Sequence, residues 1–316
     1  KIIVAHPASV SACATHLRLL EAFVALGEKV QSRAALNGAD PDAAWSAFVE
    51  HSVLRFFKWL RSTDDGTVEA LPPLDVLMVW HAFMLNPRTY ANFCKRIAGD
   101  QGPSAEGIPW ALLDTISPAM WSFEYLQGPE ARQVGTETDS FAILLADNMK
   151  FDLAAAVHRQ RRFALKMIRF GWVHSPVADF ILARVVDRYG KFLSLFEGPP
   201  ATTGTGIGNG RVGMVPTLDI DLVWHTHQLS PASYRAASST VTGGYLVNHD
   251  DTISHGAAKF GFMATAQLYR DRFNEEYDMC SSSKRSCCDR SAVFLCDATS
   301  YSGCHPGDCN TDCSGE

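Results

Sequence analysis

The stretch LDIDLVWHTHQLSPASY, residues 218–234, decides the fold because it repeats the earlier stretch LDVLMVWHAFMLNPRTY, residues 74–90. The two stretches are offset by 144 residues and share an Asp, a Trp-His pair, a Leu, a Pro and a Tyr. A second element, RFFKWL at residues 55–60, recurs as RYGKFL at residues 188–193. Self-similarity of this kind predicts a duplicated structural unit.

Apolar residues recur with the period of a helix through most of the chain, and alternating strand patterns are scarce. We therefore predict an all-α protein with two pseudo-repeats of long helices, each ending in a short helix, a corner and another helix. The predicted boundaries are a first repeat at 1–100, a connecting segment at 101–145, a second repeat at 146–279 and an irregular cysteine-rich tail at 280–316. Two independent domains are the alternative arrangement.

The repeated stretch contains capping signals. In each copy an Asp follows a proline-containing turn and precedes an apolar run, so Asp75 and Asp219 are predicted to be helix N-caps. A residue before proline disfavours helical geometry, whereas proline suits the first position of a helix. The first helix of each copy should therefore end before Pro87 or Pro231, where the second helix begins.

The second copy carries two histidines where the first carries one. Side chains two residues apart on a helix point roughly 200° away from each other, so His225 and His227 should not share one ion. Asp221 precedes His225 by four residues, and a carboxylate there could fix the imidazole tautomer. Asp221 and Tyr234 are the candidate catalytic residues.

A polar cluster follows in VNHDDTISHG, residues 247–256. Histidine and carboxylate ligands from separate segments can build a zinc, iron or copper site, so a divalent metal is the expected cofactor. The candidate ligands are His225, His227, His249, Asp250 and Asp251, with His81 and His255 as weaker candidates. The structural alternative makes His81 a hydrogen-bonded core histidine and Asp250 and Asp251 caps of a helix beginning near His255.

Composition excludes several classes of protein. The net charge of −6 argues against nucleic acid as the main partner, because phosphate binding needs a basic surface. No apolar run approaches the roughly 18 residues of a membrane span, so the sequence predicts no such span. The stretch TTGTGIGNGRVG, residues 202–213, lacks the preceding strand that a dinucleotide-binding loop needs and contains no G-K-[ST], so it predicts a loop and no bound nucleotide.

Cysteines fall into two groups. Cys13 and Cys94 lie in apolar surroundings and are predicted to be buried. The others crowd the tail without a C-x2-C pair: Cys280, Cys287, Cys288, Cys296, Cys304, Cys309 and Cys313. They could form disulfides in a secreted protein, bind a soft metal or stay unpaired in a cytoplasmic one. A cytoplasmic location is the expectation and secretion the alternative, since the chain begins KIIVAHPASV and a removed targeting segment stays open.

Several stretches together resemble the glycine-rich domain-containing protein-like family of eukaryotes. They are CATHLRLLEAFVAL, the two repeated stretches, NHDDTISHG and TAQLYRDRFNEEYDMC, which together cover roughly residues 10–282. The resemblance implies helical repeats with a Gly- or Cys-rich tail and, in plant-type members, an association with development and stress signalling. Members often carry a second histidine in the first motif, where this chain has Phe83. The resemblance transfers no catalytic residue.

Three functions remain open from the sequence. The first is a helical-repeat binding or scaffold protein with a protein partner and a bound metal. The second is a metal-dependent enzyme in which His225, His227 or His249 and an Asp hold zinc, non-haem iron or copper. The third, a secreted cysteine-rich effector, rests on the tail alone.

Overall fold

In the computed structural model, every regular element among the described residues is a helix, which confirms the all-α prediction. The structure describes residues 8–62, 71–98, 107–114, 151–197 and 213–278. The helices are α1 Val10–Leu36, α2 Pro41–Ser62, α3 Leu74–Met84, α4 Pro87–Ala98, α5 Trp110–Asp114, α6 Leu153–Arg169, α7 Ala178–Ser194, α8 Leu218–Gln228, α9 Pro231–Thr242 and α10 His255–Phe273. The predictions for the cysteine-rich tail, most of the connecting segment and most of the glycine-rich stretch fall outside the described residues.

The chain divides into two compact units. The N-terminal unit comprises Ser11–Ala178 together with Thr226–Arg235. The C-terminal unit comprises Asp179–His225 and Ala236–Glu316 together with Lys1–Val10. Helix α8 supplies residues to both units. The boundaries of the two repeats stay predictions.

Helix α3 forms the core of the N-terminal unit. All 11 of its residues are buried, because its sequence is apolar on every side. It packs against α2, α4 and α6. Cys13 of α1 and Cys94 of α4 are buried, as predicted, and neither is part of a disulfide.

Helix α1 is, by length and composition, the one described helix that could cross a membrane. However, 67% of its most apolar window is buried within the protein, as in the core helix of a globular fold. Its buried residues include Leu17, Leu20 and Phe23. The expectation of no membrane span stays a prediction.

In the C-terminal unit, α7 buries a stripe of apolar residues, which are Leu182, Val185, Tyr189 and Phe192. The chain before α8 runs along α10, where the Val215 N–H donates to Thr265 Oγ1 over 3.0 Å. The Tyr277 hydroxyl donates to the Val215 carbonyl over 2.8 Å. This segment therefore fixes the start of α8, which carries the second motif.

The two motifs have the predicted corner. Helix α3 ends at Met84 and α4 begins at Pro87, while α8 ends at Gln228 and α9 begins at Pro231. Both ends follow from proline, which disfavours helical geometry in the residue before it and suits the first helical position. The bounds of all four helices obey the sequence offset of 144 residues.

The N-cap predictions for Asp75 and Asp219 are wrong. Both lie inside the first turn of their helices, and Pro73 occupies the cap position of α3 without a side-chain hydrogen bond. The Asp75 carboxylate lies 2.7 Å from the Arg55 guanidinium, and Asp219 lies 2.9 Å from that of Arg188. A buried carboxylate needs a charged partner, and the preceding long helix supplies one in each copy.

Candidate metal centre

Three side chains of the C-terminal unit converge on one point. Asp221 and His225 lie one helical turn apart on α8, so both project from the same face. His249 comes from residues 243–254, the loop between α9 and α10. His225 Nε2 lies 3.2 Å from His249 Nε2, and Asp221 Oδ1 lies 3.3 Å from the first nitrogen and 3.7 Å from the second. Among the described residues this is the group of histidine, cysteine or carboxylate side chains arranged to hold a metal ion.

Hydrogen bonds satisfy this triangle poorly. A neutral imidazole has one N–H, and both rings present the same nitrogen, Nε2, to the other ring and to the carboxylate. If both nitrogens carry protons, the two N–H groups face each other over 3.2 Å. If one of the two Nε2 atoms carries no proton, its lone pair faces the Asp221 carboxylate with no proton between them. Asp221 Oδ1 is buried and makes no hydrogen bond with the described residues.

A cation at the centre would satisfy all three atoms at once. Ligands bound at about 2.0–2.1 Å to a tetrahedral zinc ion are separated by roughly 3.3 Å, the edge of the tetrahedron. The observed edges of 3.2, 3.3 and 3.7 Å are close to that value. The three atoms therefore already form one face of a coordination tetrahedron.

An aromatic side chain packs on one of the two histidines. The Trp224 ring contacts the His249 ring edge to face, with centroids 5.0 Å apart and planes at 86°. Phe192 of α7 packs on Trp224 at a centroid distance of 5.2 Å. The His225 and His249 side chains are 2% and 8% exposed, whereas that of Asp221 is 19% exposed. The three ligating atoms are therefore shielded, and the exposed part of the cluster belongs to the rest of the Asp221 side chain.

His227, a predicted ligand, lies in the N-terminal unit and contacts other residues. Its Nε2 is 3.3 Å from Ser233 Oγ, and its ring packs edge to face on Tyr234 with centroids 5.1 Å apart. Burial lowers the pKa of His227 to about 4, so its imidazole is neutral at pH 7. Phe83 packs on Tyr90 in the same geometry, with centroids also 5.1 Å apart, in the first copy. These contacts give His227 and Tyr234 packing roles.

The acidic residues after His249 are placed differently from the prediction. Asp250 Oδ1 accepts hydrogen bonds from the Thr252 N–H and hydroxyl at 2.9 and 2.6 Å, which closes a turn. Asp251 is half-buried, and His255 is exposed at the first position of α10. The helix begins where expected, but the Asp caps are wrong: the Ser254 hydroxyl accepts from the Ala257 N–H. A hydroxyl next to the first helical residue reaches that N–H directly.

His81 forms a second histidine pair in the N-terminal unit. Its Nε2 lies 2.9 Å from Nε2 of His16, whose Nδ1 lies 2.8 Å from Thr226 Oγ1. Both rings are fully buried, and burial lowers the pKa of His81 to about 3 and that of His16 well below its usual value. Leu77 stands where the second copy has Asp221. This pair therefore lacks the third ligand that Asp221 supplies in the second copy.

Sequence reasoning missed two features of these sites. His16 lies alone in the apolar α1 sequence, and only the tertiary structure brings it to His81. Asp221 was predicted to orient His225, and the structure places its Oδ1 3.3 Å from His225 Nε2 and 3.7 Å from His249 Nε2. Its i, i+4 spacing to His225 was the available clue to a ligand role.

The fold and the site together define an all-helical protein with a buried His–His–Asp cluster beside a repeated Trp-His motif. The sequence pattern described as glycine-rich domain-containing protein-like matches residues 118–236. Glycine-rich domain-containing protein 2 of Arabidopsis thaliana is 31% identical over 217 residues, which is 66% of this chain and 26% of that protein. Glycine-rich domain-containing protein 1 of the same plant is 30% identical over 232 residues, 70% of this chain and 27% of that protein.

The chain belongs to the glycine-rich domain-containing protein-like family. It spans about a quarter of the length of the two plant relatives, at 26% and 27%. No solved structure matches it.

Proposed function

We propose that this chain is a metal-binding helical protein that holds one divalent transition-metal ion through Asp221, His225 and His249. The observation that carries the proposal is the closed triangle of Nε2, Nε2 and Oδ1 atoms, whose edges are 3.2, 3.3 and 3.7 Å. One cation accounts for all three contacts, and the available protons do not.

The ligand types favour particular metals. Two imidazoles and one carboxylate suit zinc, iron(II) and copper(II), whereas calcium and magnesium prefer sites made of oxygen ligands alone. Among the described residues no cysteine joins the cluster. We therefore expect zinc, iron(II) or copper(II) at this site, with a first coordination shell of nitrogen and oxygen.

The ion would connect two segments that are separate in the sequence. Asp221 and His225 belong to α8, whereas His249 belongs to the 243–254 loop, in which Val247 is also buried. Binding an ion that the unfolded chain holds weakly would stabilise this loop against α8. A metal-organised binding surface for a protein partner is the role we propose, with a cytoplasmic location as its setting.

The first motif supplies substitutions that test the metal site, because it has apolar residues where the second motif has Asp221 and His227. Asp221→Leu copies Leu77, and His227→Phe copies Phe83. Wild type and both variants would be loaded with zinc, desalted and analysed for metal by mass spectrometry. The tail cysteines can also bind zinc, so the difference between variants is the quantity that matters.

We expect Asp221→Leu to lose one equivalent of zinc relative to wild type and His227→Phe to lose none. His249→Ala, in the loop, should lose the same equivalent, which separates loss of the site from a local fault in α8. Circular dichroism would establish that each variant keeps its helices. Equal zinc contents in wild type, Asp221→Leu and His249→Ala would overturn the proposal.

A further inference from the structure

We infer that the metal centre keeps one coordination position for a small exogenous anion, so that it is an exchangeable rather than a closed site. The inference rests on the proposed function, since it concerns the ion held by Asp221, His225 and His249. It extends that proposal by naming the ligand class, a small monoanion such as hydroxide, azide or formate.

The number of protein ligands indicates that one coordination position is unfilled. Structural zinc sites are closed by four protein ligands, whereas sites with three keep a position for water or substrate. Among the described residues the cluster contains three ligating side chains. If the ion is tetrahedral, these three side chains would hold three of its four positions.

Three neighbouring side chains that could serve as a fourth ligand contact other residues instead. Asp250 Oδ1 accepts two hydrogen bonds from Thr252, at 2.9 and 2.6 Å. Asp219 forms its ion pair with Arg188 over 2.9 Å. His227 contacts Ser233 and Tyr234. Asp251, two residues after His249 and half-buried, is the competing fourth ligand that an experiment must address.

Charge favours an anion at the remaining position. A divalent ion with one carboxylate and two neutral imidazoles retains a net charge of +1 on the centre. The two histidines are 2% and 8% exposed, and a buried net charge is costly unless a counter-charge lies beside it. The Asp221 side chain is 19% exposed although its Oδ1 atom is buried, so solvent lies closest to the cluster at this side chain.

Cobalt(II) and azide provide the probes. The full chain would be loaded with cobalt(II), and its visible absorption bands would be recorded while sodium azide is added, with sodium chloride as the ionic-strength control. Asp221→Leu reports the contribution of any cobalt held by the tail. We expect a saturable shift of the visible bands in wild type that Asp221→Leu does not show.

Asp251→Asn tests the competing ligand. If the centre is open, this variant should respond to azide as wild type does. A cobalt-loaded wild type that ignores azide, with Asp251→Asn becoming responsive, would show that Asp251 closes the site and would overturn the inference while leaving the metal site intact. If wild type and Asp221→Leu have the same cobalt spectrum before azide is added, the metal proposal itself fails and the inference fails with it.

Discussion

At the scale of single residues, one side chain separates the two histidine pairs. His81 meets His16 and His225 meets His249, in both cases through Nε2 atoms about 3 Å apart, at 2.9 and 3.2 Å. Only the second pair has a carboxylate one turn earlier, because Leu77 of the first copy corresponds to Asp221. Two neutral rings form a hydrogen-bonded core contact, and adding the carboxylate creates a set of metal ligands.

The buried histidines of the N-terminal unit should make its stability depend on pH. The folded pKa values of His81, about 3, and His227, about 4, lie below the unfolded value of about 6.5. The unfolded chain therefore binds more protons in acid, so the stability present above pH 6.5 is lost as pH falls towards the folded pKa. Each such histidine contributes about 1.4 kcal/mol per pH unit within that window.

The variant His227→Phe measures how much of this pH dependence comes from His227. Since Phe83 occupies the equivalent place beside Tyr90, the variant should fold normally at pH 7. Urea unfolding at pH 7, 6 and 5 should show that wild type loses about 0.7 kcal/mol more than the variant between pH 7 and 6 and about 1.2 kcal/mol more between pH 6 and 5. Parallel pH profiles for the two proteins would show that His227 titrates normally in the folded state.

At the scale of elements, local signals predicted the corners and failed at the helix starts. Proline acts on the residue beside it, so the bounds at Pro87 and Pro231 could be derived from the sequence. Asp75 and Asp219 instead respond to arginines 20 and 31 residues earlier in the chain, at Arg55 and Arg188. Capping rules describe local hydrogen bonds and take no account of such a tertiary ion pair.

Removing one partner of the buried pair should be costly. Arg188→Met leaves Asp219 charged at 2% exposure and also removes the hydrogen bond that Arg188 donates to the Tyr277 carbonyl over 2.9 Å. We expect a loss of about 3–5 kcal/mol in the free energy of unfolding. Lys191→Met, on the same helix but in pairs with the exposed Asp187 and Glu275, should cost no more than about 1 kcal/mol. Equal losses in the two variants, measured by urea unfolding, would contradict this account.

A close backbone approach fixes the segment before α8 on α10. A Cβ atom at Gly261 would collide with the Gly213 carbonyl oxygen and would lie 2.8 Å from Val215 Cγ2. Gly261→Ala should therefore lower the midpoint of thermal unfolding. Gly256→Ala, on the same helix with nothing within 4 Å of the added atom, should leave the midpoint unchanged or raise it. A Gly261→Ala protein as stable as Gly256→Ala would show that this contact is loose.

At the scale of the whole molecule, the sequence predicted the helical architecture better than the site. Helical periodicity is repeated over many residues, so errors at single positions do not change the fold class. The site depends on a loop residue, His249, returning to α8, and no local pattern encodes that return. The sequence nevertheless placed His225 and His249 among the candidate ligands and separated His225 from His227 on helical geometry alone.

The central claim, that Asp221, His225 and His249 hold a metal ion, is tested most directly by X-ray absorption of the full chain loaded with one equivalent of zinc. The account predicts a first shell of nitrogen and oxygen at about 2.0–2.1 Å with the outer-shell scattering of two imidazoles, and loss of that signal in Asp221→Leu. A first shell dominated by sulfur at about 2.3 Å would place the zinc on the tail cysteines and contradict the account. The same would follow if the imidazole scattering were unchanged in the variant.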